Sequence, residues 1–264
     1  MTDVARTLVS AAPRLVSAQL PFRASNCQAA QSVEMSLDAA DTSVRATGPI
    51  SASEGYALWA PTWDATPSPI VALEHRMLLP WIEPFRPRRA IDVGCGTGRW
   101  TAPLSAIGID VSPAMLAIAA NKPGLFGRLV AADAAALPVR NASADFVLCT
   151  LTLGHIGNPL TALNELSRIL EPGGSLILTD FHPAATAAGW RRTFRSGGRV
   201  YEIENHPYTL DELRAGAEGL VLRECAEATI GEPERELFER AGRPELFEAA
   251  SRTPAVLLTR WSRL

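Results

Sequence analysis

The chain has 264 residues, 47% of them hydrophobic and 20% charged, with a formal net charge of −3. That composition supports one large domain with a core, or one domain plus appendages. Mild acidity disfavours nucleic acid as a partner, because such affinity comes mostly from neutralised phosphates, and no apolar run has the length of a membrane span. The cysteines Cys27, Cys95, Cys149 and Cys225 form no C-x-x-C pair and read as reduced thiols of a cytoplasmic protein. The histidines show no metal-ligand spacing, so no metal is expected.

Three zones follow one another. In residues 1–54, Val4, Leu8, Ala11 and Leu15 recur at helical spacing among serines, Arg6 and Arg14. An amphipathic N-terminal helix is the favoured reading and a transit peptide the alternative. Val33, Met35 and Leu37, then Val44 and Ala46, alternate with polar residues, which fits a hairpin or disorder. Residues 55–87 carry Tyr56, Trp59 and Trp63 and several prolines. A helix is expected from Pro69 to Leu79, with Ile70, Leu73, Met77 and Leu78 on one face, so this zone reads as a helical cap.

From Arg88 onward, strand and helix patterns alternate. Strands are expected at 90–93, 106–110, 129–132, 144–150 and 175–179, with two more beginning at Leu220 and at Ala255. A helix to about Leu104 should follow the first strand, shortened by Pro103. Ser112 with Pro113 starts another, Leu160–Leu170 a third, and Tyr208–Gly219 a fourth. The acid-rich stretch Glu232–Glu239 reads as a solvated helix face. Such alternation predicts an α/β fold: a doubly wound, mostly parallel seven-stranded sheet with helices on both faces and an insertion after the fifth strand, near 183–207.

In such sheets ligands bind beyond the carboxyl ends of the strands. Gly94, Gly96 and Gly98 lie at that end of the first strand, where glycines let backbone approach a ligand. Dinucleotide binders use G-x-G-x-x-G; here the third glycine comes one residue early, which disfavours a nicotinamide oxidoreductase. Asp92 beside the loop suits a cationic ligand.

The run Ala90-Ile-Asp-Val-Gly-Cys-Gly-Thr-Gly-Arg-Trp100 resembles the first motif of class I S-adenosylmethionine-dependent methyltransferases of the small-molecule, type 11-like kind. Gly108–Leu116, Ala131–Ala134 with Leu137-Pro138, Asp145–Thr150 leading to His155, and Arg168–Gly174 resemble its later motifs in order. The resemblance covers residues 88–181 and implies a Rossmann-like fold with S-adenosylmethionine as cofactor. The implied cofactor contacts are Asp92, Gly94, Cys95, Gly96, Thr97, Gly98, Asp110 on the ribose, Val111, Met115, Asp133 on the adenine amino group, Ala134 and Thr150. Tyr56–Asp64 looks like the lid of small-molecule members.

Methyl transfer is an in-line displacement in which the protein aligns the reactants and excludes water. A protonated nucleophile also needs a base. His155, after the fourth strand, and His182, after the fifth, are the candidates, each with a structural histidine as the alternative. Tyr56, Trp59 and Trp63 cover the cofactor, line the acceptor pocket or pack the cap core. The insertion carries Arg191, Arg192, Arg195 and Arg199 with Trp190 and Phe194 interleaved. It is read as a solvated hairpin, as a lid in which Arg191 holds an anionic substrate group, or as an RNA contact. The partner expected is a small-molecule acceptor, with the protein a monomer or homodimer. The competing class is a non-catalytic module that binds the cofactor to sense it or assist a partner. RNA methylation is disfavoured because Cys149–Gly154 stands where an Asn/Asp-Pro-Pro-aromatic signature would be.

Overall fold

The structure, a computed structural model, describes residues 48–264. The helix expected over residues 4–15 and the hairpin over 33–46 lie outside the described residues. Among those described, no helix is long and apolar enough to cross a membrane.

The first elements are helix α1 (Ala52–Trp59), a 3-10 turn (Ala60–Ala65) and helix α2 (Pro69–Ile82). The alternating part then runs β1 (Ala90–Val93), β2 (Ile107–Asp110), α3 (Pro113–Ala119), β3 (Leu129–Ala131), β4 (Ala144–Thr150), α4 (Pro159–Ile169) and β5 (Leu170–Phe181). Next come α5 (Pro183–Ala187), a hairpin of β6 (Thr193–Ser196) and β7 (Arg199–Glu202), α6 (Leu210–Gly216), β8 (Leu220–Thr229), α7 (Glu232–Arg240), α8 (Phe247–Ala250) and β9 (Pro254–Arg263).

Seven strands form one sheet in the order β3-β2-β1-β4-β5-β9-β8. β1 through β5 pair in parallel, and β9 runs antiparallel between β5 and β8. The chain leaves β1 towards β2 on one side and later returns to β4 on the other. The sheet therefore has its switch point between β1 and β4, where such folds open a crevice.

Period-two alternation builds a core on each face. Phe146, Leu148, Ile177 and Phe181 pack with Ile70, Leu73 and Leu78 of α2 and with Phe238 of α7. The intervening Val147, Cys149, Leu176 and Leu178 pack with Leu163 and Leu166 of α4 and with Leu213 of α6. Helix starts follow local chemistry: the Ser112 hydroxyl accepts the Met115 N–H, and Asn158 Oδ1 accepts the Leu160 N–H, each with proline in the first turn.

Three segments depart from expectation. The helix after β1 is a succession of turns instead. Ala102 and Leu104 donate to Gly98 and Trp100, but Pro103 between them has no N–H, and Ser105 takes φ 50°. Strand β5 starts at Leu170, not Ser175, because Leu170 already pairs with Ala144 before the register shifts. Helix α7 is not simply a solvated face: Phe238 and Glu234 are buried, and Arg76 grips the Glu234 carboxylate at 2.8 and 3.0 Å.

The hairpin closes through Gly197 and Gly198, both at positive φ, as a two-residue turn requires. Its Phe194 stacks on Trp59 of α1, with ring centroids 4.9 Å apart and 6° between planes. Ile50 bridges Ile203 in parallel, so cap and hairpin share a satellite core of Trp59, Phe194 and Ile203.

Candidate active site

A cavity of about 420 Å³ opens beyond the carboxyl ends of β1, β2 and β4. Its floor is the glycine segment. Gly94 sits at φ 71°, and any Cβ there would overlap the Thr152 side chain, so the tight passage from β1 into the loop excludes every other residue. Gly94, Cys95, Gly96 and Thr97 all line the cavity; Gly98 closes the turn by donating to the Cys95 carbonyl.

Asp92 reaches the cavity from inside the sheet and is 1% exposed. Its Oδ2 accepts from Thr101 Oγ1 at 2.6 Å, while Oδ1 is buried with no hydrogen-bond partner. Burial pushes its carboxyl up to about 7. Asp110, at the end of β2, accepts the Gly96 N–H on Oδ2 and the Ser112 N–H on Oδ1, each at 2.8 Å. Burial raises this group too, against those two bonds. Farther along lie Val111, half exposed, buried Met115, Ala134 and Asp133. Asp133 Oδ1 accepts the Ala135 N–H. Thr150 completes the wall from β4.

The cap forms the facing wall through Tyr56 and Trp63 and is tied to the glycine loop. The Thr97 hydroxyl donates to Asp64 at 2.6 Å, and Lys122 pairs with Asp64 at 2.8 Å. Trp59 does not line the cavity; it is buried between Tyr56, Trp63 and Phe194. An acceptor role for Trp59 is therefore replaced by cap packing, the large indole being spent on the satellite core.

Of the two histidines, only His155 lines the cavity. Its Nδ1 lies 2.8 Å from the Glu204 carbonyl and its Nε2 2.8 Å from the Tyr56 hydroxyl. A carbonyl only accepts, so Nδ1 carries the proton and Nε2 receives the Tyr56 hydroxyl proton. Burial, with the Arg192 guanidinium nearby, holds the imidazole down to about 3, so the ring is neutral. His182 is elsewhere. It caps α5, accepting the Ala184 N–H on Nδ1, and its Nε2 lies 3.5 Å from Glu227. That geometry replaces the base reading of His182 with the structural one.

The insertion also differs from expectation. Arg191 points away from the cavity: it donates to the Thr186 and Trp190 carbonyls and pairs with Glu202. Arg192 lines the cavity instead, 5% exposed, with Nε and Nη2 both donating to the Tyr56 hydroxyl. Arg192 lies between the buried Trp190 and Phe194, which brings its side chain in beside the cap. Arg99 also reaches the cavity, but it pairs at 2.6 Å with Glu74, which is fully buried and also accepts from Thr179. The Asp64–Thr97–Lys122 tie and the Glu204 carbonyl left no trace in sequence spacing.

No cluster of His, Cys, Asp and Glu among the described residues is arranged to hold a metal. Burial raises the Cys95 and Cys149 thiols, so neither is a ready thiolate.

Strand order, glycine loop and paired acids define the class I, Rossmann-like methyltransferase architecture. Residues 91–178 match the methyltransferase domain family model, so this stretch is similar to an S-adenosylmethionine-dependent methyltransferase domain. It is 37% identical over 99 residues to a demethylmenaquinone methyltransferase of Staphylococcus aureus, covering 34% of this chain and 41% of that one. The match thus spans less than half of that relative. Among solved structures, the [4+2]-cyclase SpnF superposes with a TM-score of 0.61 at 17% identity, over 83% of this chain and 99% of that one. The N-methyltransferase NodS from Bradyrhizobium japonicum WM9, in complex with S-adenosyl-L-homocysteine, gives 0.54 at 17% identity, over 80% and 95%.

Proposed function

We propose that this protein binds S-adenosylmethionine in the cavity over β1, β2 and β4 and transfers its methyl group to a small-molecule acceptor lodged under the cap and hairpin. The orphaned, buried Asp92 Oδ1 carries the reading. A carboxylate oxygen left without a partner in the cavity wall is costly unless a ligand satisfies it. The cofactor's ammonium, directly or through water, is a donor of the right charge. Asp110 keeps lone pairs beside its two backbone bonds for ribose hydroxyls, and Asp133 has one oxygen free of protein partners for the adenine amino group.

The cofactor supplies an electrophilic methyl group on a sulfonium. The chain supplies alignment and exclusion of water, with Tyr56 and Trp63 closing the cavity from above. The His155–Tyr56 pair, the histidine side of which is the candidate catalytic group, orients the acceptor: burial beside the Arg192 guanidinium leaves the imidazole a weak base, so the chemistry suits an acceptor that arrives deprotonated.

The family match covers the cofactor half and not the cap or the hairpin, so the acceptor is not carried over from it. The Staphylococcus relative's name makes demethylmenaquinone a reasonable first acceptor to assay. Calorimetry with S-adenosylhomocysteine against NAD tests the cofactor. Saturable binding of the first and none of the second is expected; tight NAD binding alone would overturn the reading. Homocysteine-analogue binding with no methyl transfer from labelled cofactor to any acceptor would favour a sensing or partner-assisting module.

A further inference from the structure

Arg192 is a buried cation with no carboxylate in direct contact among the described residues. It is 5% exposed in the cavity wall, and Nε and Nη2 both donate to a single neutral atom, the Tyr56 phenol oxygen, at 3.3 and 3.0 Å. No ion pair links it to any carboxylate among the described residues. The neighbouring Arg191 takes Glu202. Asp180, at the end of β5, is close enough to feel the guanidinium but forms no ion pair with it; its oxygens accept the Gly154 and Phe181 N–H groups. Tyr56 does not balance the charge, since it is a neutral phenol that donates its proton in a hydrogen bond to His155 Nε2. A guanidinium offers five N–H donors in a planar fork, and three remain here for a ligand. Leaving a buried charge unpaired is strongly unfavourable, so such a group is expected to complete its pairing on a bound anion.

The position separates this anion from the adenosyl end. Asp110 and Asp133 lie on the β2–β3 side of the sheet, whereas Arg192 contacts residues from the cap and, through Tyr56, the loop after β4. We propose that Arg192 receives an anionic oxygen of the methyl acceptor, either a carboxylate or the oxyanion of an acidic phenol or enol, with Tyr56 and His155 forming the polar wall beside it. Calling this ligand the acceptor rests on the methyltransferase reading; the anion site itself does not.

The test titrates benzoate, 4-nitrophenolate and neutral benzamide into wild type, Arg192→Gln and Arg192→Lys, each with and without saturating S-adenosylhomocysteine. Benzoate or 4-nitrophenolate should bind wild type at least about tenfold more tightly than benzamide, and that preference should vanish in Arg192→Gln. Whichever anion shows the preference distinguishes carboxylate from oxyanion. Arg192→Lys, which keeps the charge in place, should retain part of it and serves if the Gln variant does not fold. Equal binding of benzoate, nitrophenolate and benzamide to wild type, or an anion preference that survives in Arg192→Gln, would overturn the proposal. So would a tenfold loss of S-adenosylhomocysteine affinity in Arg192→Gln, which would assign the guanidinium to the cofactor's own carboxylate. Failure of wild type to bind S-adenosylhomocysteine would instead sink the cofactor reading, and the anion preference would still be read on the protein alone.

Discussion

The wall around Asp92, Gly94, Asp110 and Asp133 comes from one continuous stretch of chain, whereas the wall around Tyr56, His155 and Arg192 joins segments 99 and 136 residues apart. The first works largely through backbone: glycines at positive φ, and a carboxylate clamped by the Gly96 and Ser112 N–H groups. The second works through side chains that meet only after cap, sheet and hairpin have assembled. A local wall leaves a pattern in sequence. An assembled one leaves scattered residues whose meeting depends on tertiary packing.

Substitutions should separate the two walls, and the largest effect belongs to the continuous one. Gly94→Val forces a side chain into Thr152 at φ 71°. It should abolish measurable S-adenosylhomocysteine binding, a loss of more than about a hundredfold, and lower the unfolding midpoint. Wild-type affinity in this variant would show that the loop is not the floor of the ligand site.

Asp110→Ala should come next, weakening the homocysteine analogue by ~1–3 kcal/mol in calorimetry. An unchanged dissociation constant would remove Asp110 from the ribose role.

Asp92→Asn sets binding against stability. The folded carboxyl is raised from 3.8 to about 7, so between those values the folded state holds a proton that the unfolded state releases. Stability therefore falls as pH rises through that window, and the penalty is complete above it. The variant lacks the penalty. Its stability relative to wild type should grow from nothing near pH 4 to about 1–3 kcal/mol above pH 7, while ligand affinity falls. Asp180, raised to about 6, and His155, held near 3, also titrate, but they cancel in the difference. Denaturant melts at several pH values check it, and a flat difference would mean that Asp92 is not strained by burial.

The smallest effect is reserved for a histidine outside both walls. His182→Ala should leave turnover within about twofold and cost ~0.5–1 kcal/mol through loss of the α5 cap. A large fall in turnover at unchanged stability would return His182 to the site.

What could be read in advance follows the same division. The sheet, its order of elements and the cap at Ser112 follow from alternating hydrophobicity and short-range hydrogen bonding, which are local properties. The turn segment after β1 was half visible in Pro103; the positive φ at Ser105 was not. At the site, Asp92 and Asp110 were legible because their strands and loop are adjacent in sequence. Trp59 was ambiguous because a large aromatic packs equally well in a pocket or a core, and only the stack on Phe194 decides. Arg191 and Arg192 are indistinguishable by charge alone; only the packing of the hairpin against the cap decides which one enters the cavity.

The proton on His155 Nδ1 is fixed by the main-chain carbonyl of Glu204, not by a side chain. A carbonyl is present whichever amino acid occupies that position, so mutation there cannot delete it. The segment that leaves the hairpin at Glu204 can thus drift in sequence, reshaping what the pocket admits, while the hydrogen-bond polarity running from Glu204 through His155 to Tyr56 is inherited with the backbone path.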